Sequence, residues 1–346
     1  MTVKIKIIGK DKQGWSVDKD HFYNKKALSE QGYKIVSCFL NADIILNVWY
    51  SYILKRKFYF LRKFKNNRKI INIITNDPEE NKKNITKYFS FTDFWICANN
   101  KQKQFLLNHK ISPEKIFINP FYVDENIFKN LKKSKKEICN EINLDFTLIQ
   151  NKFIIGSFQR DSRGDDLTKA KWHKNPDMIV DILKETDRSK IILLLAGPRR
   201  HYLINQCKLN QIPYLFIGNE NFVTNLQDDI NENNLSESHI NLLYNLIDLY
   251  VITSVSEGGP KAVTEASLCK IPILSTPVGM ASDLLIPESI CSNTQCFIEK
   301  INDFNEHPGL KEQFAEKNYE KIININNFKA YKQRLKNIIE TVSNAQ

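Results

Sequence analysis

Short apolar runs recur along the chain at a spacing that suits a parallel sheet. Val3 to Ile8 (VKIKII), Ala42 to Val48 (ADIILNV), Ile70 to Ile74 (IINII) and Phe94 to Ala98 (FWICA) are separated by segments of helix-compatible composition. Such alternation predicts βαβ units and an open α/β sheet. The rhythm restarts at Phe153 to Ser157 (FIIGS) and continues through Ile191 to Ala196, Tyr214 to Ile217, Leu249 to Ile252 and Ile273 to Ser275. Two similar doubly wound halves are the simplest account. Phe314 to Val342 reads as helix broken near Asn324 to Asn327, ahead of a polar, frayed end.

Between the halves, Lys129 to Gln150 holds the charged run KNLKKSKKE, a composition shift that marks a boundary. The expected organisation is a first domain over 1–135, a linker over 136–150, a second domain over 151–325, and a C-terminal helix over 326–346 that crosses back to the first domain.

Composition adds limits. At 346 residues, 42% hydrophobic and 26% charged, the chain is globular material for about two domains. Its apolar runs fall far short of the ~18 to 20 residues of a membrane-spanning helix, and MTVKIKIIGK lacks the apolar region of a signal peptide, which points to the cytoplasm. Cys38, Cys97, Cys139, Cys207, Cys269, Cys291 and Cys296 form no C-x-x-C pair, so they predict reduced thiols rather than a disulfide framework or zinc site. The net charge of +11 is uneven: through Lys135 there are 27 Lys and Arg against 12 Asp and Glu, and the remainder is net acidic. A basic first half favours anionic partners, whether nucleic acid, lipid headgroups or an acidic saccharide.

The segment with the most chemistry is Leu249 to Leu285, LYVITSVSEGGPKAVTEASLCKIPILSTPVGMASDLL. A predicted strand ends at Thr253, a Ser-Glu-Gly-Gly-Pro turn follows, and Lys261 to Leu268 has helix-forming composition. Orphan backbone N–H groups and the positive end of the helix dipole favour a phosphorylated ligand there. Glu257 precedes the helix and Glu265 is expected about two turns inside it, so both carboxylates face one crevice and accept hydrogen bonds from sugar or ribose hydroxyls.

At these residues the sequence resembles glycosyltransferase family 4, retaining enzymes of GT-B architecture with the signature S-x-x-E-G-x-x-x-x-x-x-x-E-A. Ser254, Glu257, Gly258, Glu265 and Ala266 match it, and Pro272 with Thr276-Pro277-Val278-Gly279 matches the following strand and turn. Lys270 stands where the family usually has glycine. The resemblance implies two Rossmann-like domains facing a central cleft. It also implies that Glu257 touches the donor sugar, Glu265 the ribose, and the amides around Gly258 and Gly259 the sugar or phosphate, with Ser254, Pro260 and Lys261 beside them.

A second match lies in Ile154 to Ile179. Gly156, Arg160 and Lys174-Asn175-Pro176-Asp177 follow the family's order of strand, arginine and pre-helix lysine, with an enlarged loop from Asp161 to His173 that makes Lys171 a competitor of Lys174. A leaving diphosphate needs cations or metal, and Arg160 with Lys174 supplies them without metal. A third match, Trp95 to Phe128, resembles the family's connection into the second domain. Gly9 and Gly14-Trp15-Ser16 follow the first strand, where the family often places a glycine loop facing donor phosphate and acceptor. His21 and His109 are expected in packing or surface roles. The histidines form no ligand pair, and Asp165-Asp166 and Asp228-Asp229 lack metal-ligand context, so no obligatory metal and no cofactor is expected.

Lys55 to Lys69, KRKFYFLRKFKNNRK, holds eight basic residues and no acidic one. Lys55, Arg56, Lys57, Phe58, Arg62 and Lys63 are candidates for contact with an anionic membrane surface, each cation adding up to ~1 kcal/mol; the alternative is an amphipathic helix packed on the sheet. No nucleic-acid-binding signature accompanies them. The resulting expectation is a retaining transferase, cytoplasmic or peripheral on the inner membrane face. It moves a sugar from a nucleoside diphosphate sugar to a saccharide or lipid-linked saccharide acceptor in cell-envelope assembly. A sugar-nucleotide epimerase and a non-enzymatic polyanion binder stand as alternatives.

Overall fold

The computed structural model describes residues 2–10, 14, 16–54 and 68–345. The candidate membrane residues Lys55, Arg56, Lys57, Phe58, Arg62 and Lys63 lie outside that set. The chain divides into two compact units: Met1–Tyr122 with Glu257–Lys261 and Asn324–Gln346, and Val123–Ser256 with Ala262–Ile323.

The first unit contains β1 (Lys4–Ile8), α1 (Ser16–Glu30), β2 (Lys34–Ile35), β3 (Ile44–Asn47), β4 (Lys69–Ile73), α2 (Lys82–Ile85), β5 (Phe94–Cys97), α3 (Asn100–Asn108) and β6 (Ile116–Ile118). Its sheet has the order β2-β1-β3-β4-β5-β6, and every pairing is parallel. The four inner strands are the apolar runs of the sequence. The edge strands β2 and β6 are two and three residues long, too short for any periodicity to register. A core of Ile45, Ile70, Ile74, Trp95 and Phe105 fills one side of this sheet.

The second unit contains α4 (Lys135–Glu141), β7 (Phe153–Ser157), α5 (Pro176–Lys184), β8 (Ile191–Ala196), α6 (His201–Asn210), β9 (Tyr214–Ile217), α7 (Glu220–Thr224), α8 (Glu237–Leu246), β10 (Leu249–Ile252), α9 (Ala262–Leu268), β11 (Ile273–Ser275), α10 (Ala281–Leu284), α11 (Thr294–Glu306) and α12 (Pro308–Ile323). These strands are again parallel, in the order β11-β10-β7-β8-β9. Ile155, Leu193, Leu195 and Val251 meet Ile179, Leu183, Phe297 and Ile301 from the helices in a dry core. The chain then returns to the first unit with α13 (Phe328–Asn344). Asn327 caps α13 by accepting the Ala330 N–H, which fixes the helix break expected near Asn324 to Asn327.

The boundary differs from the expected one. The first unit gives way at Tyr122, and residues 136–150 belong to the second unit instead of linking two domains. The reason is where the charges go. Ser134 and Glu137 form a capping box that starts α4, and Lys135 Nζ lies 2.5 Å from Asp248 Oδ2. Lys311 from α12 takes the other oxygen at 2.7 Å. Burial opposes the charge of Asp248, but Lys135 and Lys311 outweigh it and hold the carboxyl below its ordinary range. A lysine-rich stretch that reads as solvated linker is thus partly neutralised inside a folded unit.

The end of α9 explains the Lys270 departure. Ile271 N–H donates to the Ala266 carbonyl and Lys270 N–H to that of Ser267, each at 3.0 Å. This is a Schellman closure, whose turning residue is left-handed and usually glycine; Lys270 has φ +57°. Its ammonium pairs with Glu316 at 2.7 Å and lies 4.4 Å from the Tyr319 ring centroid, which offsets part of the strain. Lys270→Ala keeps the strain and loses both contacts, whereas Lys270→Gly relieves the strain. Chemical denaturation is expected to find the glycine variant about 1 kcal/mol more stable than the alanine variant, and equal stability would remove this account.

Candidate functional site

Ligands of open parallel sheets bind at the carboxyl ends of strands, where the strand order reverses. In the second unit that point lies between β7 and β10, because β8 and β9 continue to one side and β11 to the other. Leu249 and Tyr250 pair there with Ile155 and Gly156. Three loops leave from these carboxyl ends, and side chains stitch them together. Thr253 Oγ1 donates toward the carbonyls of Lys174 and Asn175 at 3.1 and 3.0 Å. Val255 N–H donates to the His173 carbonyl at 3.0 Å. Ser254 Oγ donates to Gln159 Oε1 at 3.2 Å, and Thr276 Oγ1 to the Ser254 carbonyl. Asn175 takes a left-handed φ of +46°, turning the chain so that Pro176 opens α5. Lys174 and Ser254, nominated from separate motifs, are thereby brought to neighbouring loops.

Arg160, half-buried, precedes a residue that sequence reading passed over. Asp161 is fully buried, 3.0 Å from Arg200 Nε, and both side chains are out of solvent. Its Oδ1 accepts the Leu203 N–H and the Ser162 hydroxyl. Burial raises the Asp161 carboxyl above its ordinary value, with Arg200 pulling the other way. The Asp161 carbonyl accepts the Lys171 N–H at 2.6 Å, and the Lys171 carbonyl accepts the Lys174 N–H at 2.8 Å. One buried carboxylate residue thus sits between the arginine and both candidate lysines. The two members of the ion pair are far apart in sequence, so no local motif announces them.

Glu265 lies in the first turn of α9, not two turns in, because the helix starts at Ala262. The buried Tyr244 hydroxyl donates to Glu265 Oε2 at 2.9 Å and orients the carboxylate. Burial, reinforced by Glu265, lifts the Tyr244 phenol well above its ordinary value, so it stays a proton donor. At Gly156 an added Cβ would meet Ile247 Cδ1 at 2.5 Å and Phe158 Cζ at 3.2 Å, so packed side chains already occupy that space.

Glu257, Gly258, Gly259, Pro260 and Lys261 belong to the first unit. A Cβ at Gly258 would lie 2.1 Å from the Thr75 carbonyl oxygen, and the Gly258 carbonyl accepts from Asn99 Nδ2 at 2.5 Å and Gln102 Nε2 at 3.3 Å. Lys261 Nζ is 2.6 Å from Asp20 Oδ1 of α1, with both side chains largely buried. Its charge is therefore engaged by a carboxylate, which the sequence did not suggest. Glu257 is half-buried and Pro260 buried. Gly14 has φ +72°, is exposed, and donates its N–H to Asp18 Oδ2 at 2.9 Å ahead of α1.

Asp165 and Asp228 pair with Arg163 and Arg199, Asp166 with Lys169, and Asp229 accepts the Arg199 N–H. Among the described residues no group of three or more His, Cys, Asp or Glu is placed to hold a metal ion, and no helix is long and apolar enough to cross a membrane.

The Asp20–Lys261 pair yields a prediction. Burial raises the Asp20 carboxyl from its ordinary value and Lys261 restrains the rise. Lys261→Met strands the carboxylate, at a cost of ~3 to 5 kcal/mol for a broken buried pair, and Asp20→Asn/Lys261→Met recovers most of it. A folded pKa above the unfolded one means the native state binds the proton more tightly, so stability falls as pH rises through that window. The loss in Lys261→Met is accordingly expected to be larger at pH 7 than at pH 4 in denaturant titrations; a pH-independent loss would contradict it.

Residues 167–321 match the family described as glycosyl transferases group 1, a stretch that includes Lys171, Lys174, Ser254, Glu257 and Glu265. No curated protein sequence matches the chain. Among solved structures it is similar to Anabaena Alr3699/HepE, crystallised with UDP and glucose, at 13% identity over 98% of this chain and 99% of that one, with a TM-score of 0.74. A glycosyltransferase from Rickettsia africae ESF-5 shares 15% identity, covers each chain fully and has a TM-score of 0.67. A sucrose-phosphate synthase from Thermosynechococcus elongatus shares 12% over 96% of this chain and 79% of its own, with a TM-score of 0.65. At such identities the likeness is one of fold. The chain has two parallel-sheet, Rossmann-like units of the kind found in GT-B glycosyltransferase structures, and residues 167–321 match the group 1 glycosyl transferases.

Proposed function

We propose that the protein is a retaining glycosyltransferase that takes a sugar from a nucleoside diphosphate sugar and passes it to a hydroxyl of a cell-envelope saccharide or lipid-linked saccharide. The observation that carries this reading is the set of stitched loops at the β7/β10 switch point, within and beside a segment that matches group 1 glycosyl transferases. The fold neighbour solved with UDP and glucose makes uridine nucleotides the first donors to try.

In this reading Glu265, oriented by Tyr244, accepts the ribose hydroxyls, and Glu257 accepts hydroxyls of the donor sugar. Arg160 and Lys174, with Lys171 as neighbour, face the diphosphate. As the bond between the sugar's anomeric carbon and the phosphate oxygen breaks, negative charge grows on that oxygen and fixed cations stabilise it. The acceptor oxygen forms the new bond on the same face, and its proton passes to the departing phosphate oxygen. No protein base and no metal is required by this scheme. The protein acts in the cytoplasm or on the inner membrane face, where lipid-linked acceptors are reached.

A thermal-shift panel of nucleoside diphosphates and their sugars tests the donor assignment, since a ligand at 100 times its Kd adds ~2.7 kcal/mol of stability. One nucleotide is expected to raise Tm, and Glu265→Gln to weaken that shift. Arg160→Ala is expected to cut kcat at least about 100-fold with little change in Tm. Undiminished transfer by that variant, or a panel with no responding nucleotide, would sink the proposal.

A further inference from the structure

The first unit contains a cavity of about 510 Å³ whose lining includes Gly9, at the end of β1, and none of the residues given a role in the proposed donor site. It lies at the carboxyl ends of β1 and β2, against α1. Its charged lining is Lys6, Lys10 and Lys25 with the His21 imidazole, and no carboxylate is among its described lining residues. His21 and Lys25 are four residues apart on α1 and so share a face. Lys6 is held in place: its Nζ donates to the Ser37 carbonyl at 2.6 Å and lies 5.5 Å from the Phe39 ring centroid. Apolar walls come from Ile35, Val36, Phe39 and Tyr52.

We infer that this cavity is a binding site for a phosphorylated sugar. The lysines take the phosphate, and the apolar wall takes the sugar ring. Three lysines on one wall, with no carboxylate among the described lining to offset them, attract an anion. The volume falls within the ~300 to 1,000 Å³ of small-ligand pockets, more than a phosphate group alone requires. Burial, followed by Lys10, pushes the His21 imidazole down to about 4, with Lys25 acting in the same sense and Ile7 and Asp18 opposing. The ring is neutral at pH 7, and its hydrogen bond with the Ile7 backbone fixes it in the cavity wall. The assignment of this sugar as the acceptor, or part of it, rests on the transferase reading above; the binding site itself does not.

Isothermal titration of the full chain with glucose 6-phosphate, glucose and inorganic phosphate tests it, alongside histidine-selective NMR. Glucose 6-phosphate is expected to bind on the order of tenfold or more tightly than glucose, with inorganic phosphate between them. It should shift the ring signal that disappears in His21→Gln. Lys10 and Lys25 are exposed, so Lys10→Gln/Lys25→Gln is expected to fold normally, which its Tm checks. That variant should lose at least about tenfold in affinity for glucose 6-phosphate and keep wild-type nucleoside diphosphate binding. Equal affinity for glucose and glucose 6-phosphate, or phosphate binding that survives the double substitution, would overturn the site. Loss of binding to phosphatidylglycerol vesicles by the double variant, in a protein that ignores glucose 6-phosphate, would likewise overturn it in favour of a lipid headgroup. Phosphate binding in a protein that binds no nucleoside diphosphate would retain the pocket and remove the donor reading, and the converse result would remove the pocket alone.

Discussion

A single buried ion pair fixes the loop that carries Arg160, Lys171 and Lys174. Asp161 and Arg200 are both shut away from solvent, and an ion pair in that position is costly to form and more costly to break. Its return is geometric. The backbone of Asp161 donates to Arg199 and accepts from Lys171, so the carboxylate, the start of α6 and the lysine loop cannot move independently. Thr253 then closes the other side of the loop by bonding the Lys174 and Asn175 carbonyls from the end of β10. A long excursion between β7 and α5 is thus fixed at both flanks without a strand or helix of its own beyond one short turn. Flexible lysines are given defined stems, which is the requirement for stabilising charge at a particular place.

Much of this architecture was legible from the apolar runs. Nine of the eleven strands among the described residues coincide with them, seven as inner strands buried on both faces and two, β9 and β11, as apolar edge strands. The two that escaped, β2 and β6, are edge strands of two and three residues, where hydrogen bonding to one neighbour suffices and side-chain pattern carries no signal. The boundary was misplaced because composition reports charge, not its partner; Lys135 looks solvated until Asp248 is set beside it. Among the nominated residues, the spacing of Glu257 and Glu265 was visible, but not the Tyr244 hydroxyl that orients Glu265 or the Asp20 carboxylate that engages Lys261. Those partners come from other elements, and only tertiary structure pairs them.

Glycine positions divide along the same line. At residue 270 the turn geometry prescribes glycine, and the chain instead uses lysine, with contacts to Glu316 and Tyr319 that are local to that surface. At Gly258 no such substitution is open, since the missing Cβ leaves room for the Thr75 backbone, whereas at Gly156 the crowding comes from the Ile247 side chain, which can shift. Conformational strain is negotiable by about 1 kcal/mol; steric exclusion by backbone is not.

The return of α13 to the first unit bears on how the protein is made. Gln31 Nε2 donates to the Lys332 carbonyl, and Glu30 pairs with Lys332, across a separation of about 300 residues. Tyr122, where the first unit gives way to the second, sets its ring centroid 5.3 Å from that of Phe328, at the start of α13, with the rings tilted by 49°. Joining such distant segments costs only ~2 kcal/mol more in loop entropy than joining segments a tenth as far apart. Timing is another matter. During synthesis α1 has no α13 to pack against until all strands of the second unit have emerged, so the later-made unit has the material to fold first, and the earlier-made one waits with a helix face uncovered.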